Sequence, residues 1–308
     1  MLNPSRFHDL VSGRNRGLGA MFARALLRVA EVPYTLAVRI RNSRYDRGLA
    51  EVQRVDVPVI SVGNLTLGGT GKTPMVAYLA RWLRSQGVCV TIVSRGYGAE
   101  QGSRNDEALE LEQLLPDVPH LQNPDRVAAS RVAVEELECQ IILLDDGFQH
   151  RRLHRDLDIV LLDALESDGH GHVFPRGTLR EPFSGLSRAD VVVLSRCDLA
   201  DKATRAALHD RVMKVVPNAV WMEVSHRPIR LRNSSGDVMP LAQLEGARVT
   251  GFCGIGNPPA FRRTLENIGY QIGRCFRLPF EAHSRWWHWQ SLRQHDHIRL
   301  LHFFAEGK

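Results

Sequence analysis

The sequence has few cysteines and no long apolar run, and both absences narrow the class of protein. Its 308 residues include five cysteines, none of them in a C-x-x-C pair. Such spacing is typical of a reduced, cytosolic chain and argues against a zinc module or a disulfide scaffold. No apolar run approaches the roughly 18 residues of a membrane span, and arginines interrupt the N-terminal stretch that would be apolar in a signal peptide. We therefore expect neither a secreted nor a membrane-spanning protein.

The charge of the chain is concentrated at its N-terminal end. Residues 1–50 contain nine arginines and three acids, so this segment alone accounts for the formal net charge of +6. Apolar residues recur there at helical spacing and predict one apolar stripe: Leu18, Met21, Phe22, Ala25, Leu26 and Val29.

Three interpretations fit this basic, amphipathic segment. It could contact an anionic membrane surface, pack on the body of the protein, or bind nucleic acid. From the pattern alone, packing is the commonest outcome, since most amphipathic helices cover a core. No recognition motif or interleaving of aromatic and basic residues supports the third interpretation, and we expect no nucleic-acid partner.

From residue 55 onward, short apolar runs alternate with helical patterns. Strands are predicted at 57–62, 88–94, 141–144, 159–163 and 191–195, and helices at 73–85, 126–137 and 202–215. Continuous apolar strands alternating with helices predict an α/β fold with a parallel sheet covered on both faces. Polar residues recur where the strands end, which is the edge at which such sheets bind ligands.

The length suggests two domains, and the pattern loosens after about residue 218. We predict a basic amphipathic segment over 1–50, a core over 51–217, a two-stranded linker over 218–232 and a smaller α/β domain over 233–308. The smaller domain contains a predicted strand at 249–253, a helix at 259–268 and a strand at 270–278.

A glycine-rich loop lies between the first strand and the first helix of the core. Gly63–Pro74 reads G-N-L-T-L-G-G-T-G-K-T-P, and this strand–loop–helix context is typical of a nucleotide phosphate loop. Glycines allow backbone N–H groups to surround phosphates, and the helix N-terminus adds its positive dipole end. The predicted phosphate-binding residues are Thr66, Leu67, Gly68, Gly69, Thr70, Gly71, Lys72 and Thr73. Thr66 stands where the general pattern has its first glycine.

Two carboxylates follow the predicted strand at 141–144. Asp145 and Asp146 occupy the place of the acidic partner that orders Mg²⁺ in phosphate-loop folds. Because adjacent strand residues point to opposite faces, only one of them is expected to face the phosphates directly. The other would need a separate partner, such as Lys72, a water or a histidine.

Further motifs accompany these two in order along the chain. They are Asp145–His150 (D-D-G-F-Q-H), Ser94–Gly98, Pro124–Arg126, Pro175–Pro182 and Gly254–Pro258. With the phosphate loop, they resemble the tetraacyldisaccharide 4'-kinase (lipid A 4'-kinase) family over about residues 15–285. The family's loop also has threonine in place of the first glycine.

This resemblance implies transfer of the γ-phosphate of ATP to the 4'-hydroxyl of a tetraacyl-disaccharide 1-phosphate, a lipid A precursor, with Mg²⁺ as cofactor. It also implies a P-loop NTPase-like core, a smaller C-terminal domain and an N-terminal helix that contacts the membrane. The expected partners are the lipid substrate and an anionic membrane surface, without an obligate protein partner. The expected location is peripheral, at the cytoplasmic face of the bacterial inner membrane.

Residue roles follow from the same resemblance. Lys72 is expected to hold the β- and γ-phosphates, and the Thr73 hydroxyl is expected to ligate Mg²⁺. Asp145 and Asp146 match the paired acids near the metal. Asp106 resembles the aspartate proposed as the family's general base. The two remaining assignments are Glu181 as an outer-shell metal residue and His283 as the histidine that pairs with the base. Arg180 could meet substrate phosphate or form a structural salt bridge, and the sequence leaves both open.

The sequence departs from the family at its C-terminal end. Glu281–Ser284 (E-A-H-S) replaces the D-H-H motif around His283, and the later T-E-K-D segment is absent. One alternative is therefore a catalytically impaired member that still binds ATP and membrane. Another is a phosphate-loop switch ATPase or GTPase, although Ser195–Asp198 lacks the N-K-x-D of guanine-binding proteins. His170 and His172 could suggest a metal pair, but with no third ligand evident we expect a surface loop there.

Overall fold

The computed structural model describes residues 4–96, 106–233, 237–253 and 258–277. The chain divides into two compact units, Met1–Val224 and Ser225–Lys308. The boundary lies seven residues after the predicted end of the core at 217.

A parallel sheet forms the centre of the first unit. Its seven strands are β1 (Val59–Asn64), β2 (Val90–Ser94), β3 (His120–Gln122), β4 (Ile141–Asp145), β5 (Leu157–Asp163), β6 (Val191–Ser195) and β7 (Val220–Glu223). They lie in the order β3-β2-β4-β1-β5-β6-β7, and each neighbouring pair is parallel. This confirms the predicted parallel α/β fold. The carboxyl ends of β1, β4, β5 and β6 therefore share one edge.

Helices cover both faces of this sheet. The helices of the first unit are α1 (Pro4–Val11), α2 (Leu18–Asp46), α3 (Lys72–Ser85), α4 (Asp106–Leu114), α5 (Arg126–Glu135) and α6 (Lys202–Met213), of which α3 and α5 pack against opposite faces of the sheet. Leu143 of β4 packs in a cluster with Ala80 of α3, whereas the adjacent Ile142 packs in a cluster with Ala133 of α5. Alternate residues of one strand thus meet helices on opposite faces, which explains why β4 is apolar up to its last residue, Asp145.

The long helix α2 is docked by its polar side. Its buried residues are Ala20 and Glu31, while all six residues of the predicted apolar stripe are exposed. The exposed apolar surface continues through Val32, Leu36 and Ile40. The interpretation in which this stripe packs on the protein is therefore wrong for the first unit. Among the described residues, no helix has the length and apolarity needed to cross a membrane.

The first strand of the predicted two-stranded linker over 218–232 is part of the large sheet instead. Val220–Glu223 is β7, which pairs with β6 at the edge of the sheet. The sequence pattern at these four residues predicts a strand but not its neighbour in a sheet. In the structure, that neighbour is β6. Two short core elements, β3 and α4, were not predicted either.

The second unit is smaller and built around a strand–helix–strand element. Strands β8 (Leu231–Arg232) and β9 (Val238–Met239) form an antiparallel pair. Strands β10 (Arg248–Cys253) and β11 (Gln271–Arg277) are parallel, with α7 (Pro258–Asn267) between them in the chain. These last three elements agree with the prediction within a few residues. The predicted loop at 254–257 lies outside the described residues.

Candidate active site

The predicted phosphate loop connects β1 to α3. Gly68 and Gly71 have φ values of 116° and 88°, which L side chains rarely adopt, so both glycines are needed for this path. Buried Asn64 holds the loop from inside, because its Nδ2 donates to the Thr66 carbonyl at 2.8 Å and to Thr70 Oγ1 at 3.0 Å. The loop is therefore preorganised, and α3 begins at Lys72 directly after it.

The residues around Thr66 are tied to a second segment of the core. Thr66 forms an antiparallel bridge with Leu179, and the Leu67 N–H donates to the Thr178 carbonyl at 2.6 Å. The backbone of this half of the loop is thus extended, a conformation that suits threonine as well as glycine. This accounts physically for threonine at the position of the first glycine.

An arginine at the end of β6 supports the opposite side of the loop. Arg196 Nη2 donates to the Gly69 carbonyl at 2.6 Å, and its Nε donates to Asp163 at the end of β5 at 3.0 Å. The Arg196 side chain is thus engaged by the loop and the sheet. Its position corresponds to the lysine of the guanine-binding motif N-K-x-D, and Ser195 stands where that motif has asparagine.

The two predicted acids take different conformations. Asp145 ends β4 and is buried, whereas Asp146 has a φ of 53° in the left-handed region. This turn ends the alternation of the strand. Asp146 Oδ1 lies 3.5 Å from Lys72 Nζ, and Arg180 Nη1 donates to both oxygens of Asp146 at 2.8 and 2.7 Å. Asp146 therefore has both Lys72 and Arg180 as ion-pair partners.

The electrostatics keep Asp146 ionised. Burial alone would raise the pKa of this carboxyl, but the neighbouring charges of Lys72 and Arg180 outweigh burial and lower the pKa below its ordinary value. Of the two roles left open for Arg180, the structure shows the salt bridge. One carboxylate thus positions two cations beside the phosphate loop.

Glu181 is linked to the loop through Gln149, which donates to Glu181 and to the Asn64 carbonyl. It is only 1% exposed, and Arg188 Nη2 donates to both of its oxygens at 2.9 Å. Asn42 of α2 donates to the same carboxylate at 2.9 Å, and Gln149 does so at 3.1 Å. Since its oxygens accept four hydrogen bonds from three side chains, Glu181 acts here as a positioning residue for the α2 contact and for Gln149.

The D-G-F-Q-H turn after β4 packs tightly against β1. A Cβ at Gly63 would lie 2.5 Å from Phe148 Cβ, so only glycine fits there. Gln149 donates to the Asn64 carbonyl at 2.9 Å, which joins this turn to the phosphate loop. Burial, together with the charges of nearby arginines, lowers the pKa of His150 from 6.5 to about 4, so His150 is neutral at physiological pH.

The remaining predicted site residues are only partly covered by the structure. Asp106 begins α4, but its side chain lies outside the described residues, as does His283. His170 and His172 do not form a pair: His170 Nε2 lies 2.9 Å from Glu166, and His172 Nδ1 lies 3.2 Å from Glu31. Sequence reasoning missed Asn64, Asp163 and Arg196 as loop supports, although each stands at or directly after a strand end.

The donor set at this edge suits a hard cation. Thr73 offers a hydroxyl in the first turn of α3, and Asp145 and Asp146 offer carboxylate oxygens at the end of β4. Oxygen ligands of these kinds are those that Mg²⁺ prefers beside phosphates. The residues therefore fit the ion that a phosphate loop normally uses.

Comparison with known proteins gives one consistent family. Residues 23–298 match the family model described as tetraacyldisaccharide-1-P 4'-kinase. The tetraacyldisaccharide 4'-kinase of Geobacter sulfurreducens is 38% identical over 295 residues, which cover 90% of this chain and 80% of the relative. That of Geobacter metallireducens is 41% identical over 265 residues, covering 80% and 76% of the two chains.

A solved structure shows the same architecture. The chain is similar to the crystal structure of LpxK from Aquifex aeolicus in complex with ATP, with a TM-score of 0.65 and 31% sequence identity. The match covers 84% of this chain and 82% of that chain.

Proposed function

The chain belongs to the tetraacyldisaccharide 4'-kinase family, and from this premise we propose that it transfers the γ-phosphate of ATP to the 4'-hydroxyl of a tetraacyl-disaccharide 1-phosphate. The product would be the 4'-phosphorylated lipid A precursor, lipid IVA. One observation carries the proposal: the preorganised phosphate loop places Lys72 beside Asp146 at the carboxyl edge of the sheet, 3.5 Å apart.

The loop residues would bind and orient the ATP phosphates. The backbone N–H groups after Gly68 and the N-terminus of α3 favour anionic oxygens, and Lys72 adds a cation near the β- and γ-phosphates. Arg180, held by Asp146, supplies a second cation close to the same loop. Because Asn64 and Arg196 support the loop from two sides, little reorganisation is needed when charge develops on the transferring group.

Mg²⁺ would be held by Thr73 with Asp145 and Asp146, and it would neutralise charge on the phosphate oxygens. The protein's own contribution is to hold these carboxylates in place and to keep Asp146 ionised. Lys72 and Arg180 do this for Asp146, because their charges outweigh burial and lower the pKa of its carboxyl below the ordinary value.

On the acceptor side, Asp106 is proposed as the general base and His283 as its partner, on the family resemblance. A carboxylate of ordinary basicity suits phosphoryl transfer, in which positioning dominates over early proton abstraction. Asp106 and His283 would act as a unit, so Asp106→Ala and His283→Ala should each slow transfer and should not be additive.

The exposed face of α2 supports an encounter with an anionic membrane surface, where the lipid substrate resides. Leu18, Phe22 and Val29 are 84%, 67% and 71% exposed, which is unusual for large apolar side chains on one helix face. Arginines flank this stripe, as expected for a helix lying at the headgroup level. The proposed location is thus peripheral, at the cytoplasmic face of the bacterial inner membrane.

The test of the reaction uses γ-labelled ATP and lipid A disaccharide 1-phosphate in detergent micelles. Label should appear in the lipid, and the same lipid already phosphorylated at the 4' position should take none. Phosphate release without any acceptor would instead support a switch ATPase. Nucleotide binding with neither transfer nor release would identify an impaired member.

The membrane contact is tested separately on vesicles of anionic phospholipid. Replacing Phe22, Leu26 and Val29 together by serine should lower partition by at least about 10-fold, since each buried apolar side chain contributes roughly 1.5–3 kcal/mol. The matched control is Trp82→Ser, because Trp82 is an exposed apolar residue of α3. Equal partition of the triple variant and the parent would contradict the membrane role of α2.

A further inference from the structure

We propose that His8, Glu166 and His170 form a binding site for a divalent transition-metal ion that fastens α1 to the core of the first unit. His8 Nε2 lies 2.9 Å from Glu166 Oε2, and His170 Nε2 lies 2.9 Å from Glu166 Oε1. One ligand atom from each residue lies within 4.8 Å of the other two. The site is distinct from the Thr73, Asp145 and Asp146 oxygens proposed for Mg²⁺.

The ligand types select the class of ion. Two imidazole nitrogens and one carboxylate oxygen suit Zn²⁺ or a similar first-row cation rather than Mg²⁺, which prefers oxygen ligands only. Zinc takes such ligands at about 2.0–2.2 Å, so an ion between these three atoms requires only small side-chain shifts. All three side chains are partly exposed, which leaves room for a water as fourth ligand.

The arrangement of His170 favours coordination over a simple hydrogen bond. Its Nε2 is buried and, despite the 2.9 Å separation from Glu166, forms no hydrogen bond with a described residue. A cation bound beside both groups would satisfy this nitrogen directly.

Neighbouring contacts hold the ligands in place. Thr178 Oγ1 donates to Glu166 Oε1 at 3.3 Å. Asp168 accepts from the His170 backbone N–H at 3.0 Å, and His170 itself has a φ of 60°. Such outer contacts orient metal ligands in known sites, and here they fix two ligands on one short segment of the core.

The third ligand comes from α1, which is docked independently of His8. Phe7 packs against Phe174 with ring centroids 6.1 Å apart, and Arg176 Nη1 donates to the Val11 carbonyl at 3.2 Å. These contacts present His8 to Glu166 without help from an ion. The metal would therefore add a cross-link between residues 8 and 166–170, close to the Thr178 carbonyl that supports the phosphate loop.

The experiment measures Zn²⁺ and Co²⁺ binding to the full chain after treatment with a chelator. Because the chain has 13 histidines, the decisive comparison is between variants. His8→Ala, His170→Ala and Glu166→Gln should each raise the dissociation constant by at least about 10-fold, whereas His172→Ala, on the same segment, should leave it unchanged. Co²⁺ bound to the parent should show the visible absorption of a site with nitrogen ligands, and this absorption should disappear in the same three variants.

Thermal unfolding gives a second readout that does not depend on activity. At a free Zn²⁺ concentration of 100 times the dissociation constant, the parent's Tm should rise by about 5 °C, and the His172→Ala control should rise equally. Glu166→Gln preserves the size of the side chain, so it tests the site even if His8→Ala loosens α1. No saturable binding by the parent, or equal binding by all four variants, would overturn the proposal and leave the cluster a contact between side chains only.

Discussion

The helices α2 and α3 are both amphipathic, yet they meet the protein with opposite faces. Helix α3 buries Val76, Ala77, Ala80 and Leu83 against the sheet. Helix α2 is twice as long but exposes its apolar stripe and docks through polar side chains. Amphipathicity in a sequence therefore identifies two faces without saying which of them contacts the protein.

The polar docking of α2 depends on partners that the core presents. Glu31 accepts from the Val173 backbone N–H at 2.9 Å, and Tyr34 donates to the Arg180 carbonyl at 3.1 Å. Asn42 reaches Glu181. The polar face of α2 thus supplies hydrogen-bond partners to the groups of the core that it covers, and the apolar face is left exposed.

The largest expected effect concerns Lys72 at the N-terminus of α3, which is compared with an exposed arginine of α2. Lys72→Ala at the start of α3 should lower the rate of lipid phosphorylation by about 10²–10³-fold, the range found when one preorganised donor to developing charge is removed. Arg44→Ala, which removes an exposed cation of α2, should retain most of the rate. The measurement is transfer of labelled phosphate at saturating lipid.

Circular dichroism of the Lys72→Ala variant should match that of the parent, since this lysine has little packing role. Retention of most lipid phosphorylation by the folded variant would contradict the assignment of the phosphate loop.

The next prediction compares the apolar faces directly. Leu83→Ala should lower the free energy of unfolding by about 2–3 kcal/mol, because it leaves a cavity under α3. Leu26→Ala on the exposed stripe of α2 should change it by less than about 0.5 kcal/mol. Urea denaturation of the two variants measures both values, and a large loss for Leu26→Ala would break the contrast between the helices.

A smaller effect is expected on the docked polar face of α2. Asn42→Ala removes a hydrogen bond to buried Glu181, which keeps its contacts with Arg188 and Gln149, so the loss should be about 1 kcal/mol. Arg39→Ala, at an exposed position of the same helix, is the control and should be neutral. If both variants unfold with the parent's midpoint, the polar contacts do not hold α2.

The last prediction concerns pH and also involves α2, because Arg41 is one of the charges that, together with burial, lower the pKa of His150. That pKa falls from an ordinary 6.5 to about 4 in the folded chain, so between these values the unfolded state binds the proton more readily. Stability from neutral His150 is complete above pH 6.5 and is lost as the pH falls toward 4. His150→Gln should therefore make the free energy of unfolding less dependent on pH across this window, as measured by urea titrations at several pH values.

Much of the site was predictable from local sequence. The Gly68–Thr73 loop follows an apolar strand and opens a helix, and Asp145 and Asp146 follow another strand. These signals are local because a phosphate loop uses neighbouring backbone groups. The support from Arg196, which Asp163 holds, could not be predicted, since its contact with Gly69 depends on which strands are neighbours in the sheet.

By itself, the sequence determined the order of elements from β1 to α6 apart from β3 and α4, the phosphate loop, the paired acids and the amphipathic character of α2, because each depends on residues close together in the chain. Only the tertiary structure decided that β7 completes the sheet, that Asp146 joins Lys72 to Arg180, and that α2 turns its apolar face outward. It also brought His8 to Glu166, 158 residues away. Such pairings are set by the packing of segments that are distant in the chain. The burial and charge of the partner residue decide each contact, and no local sequence pattern identifies that residue.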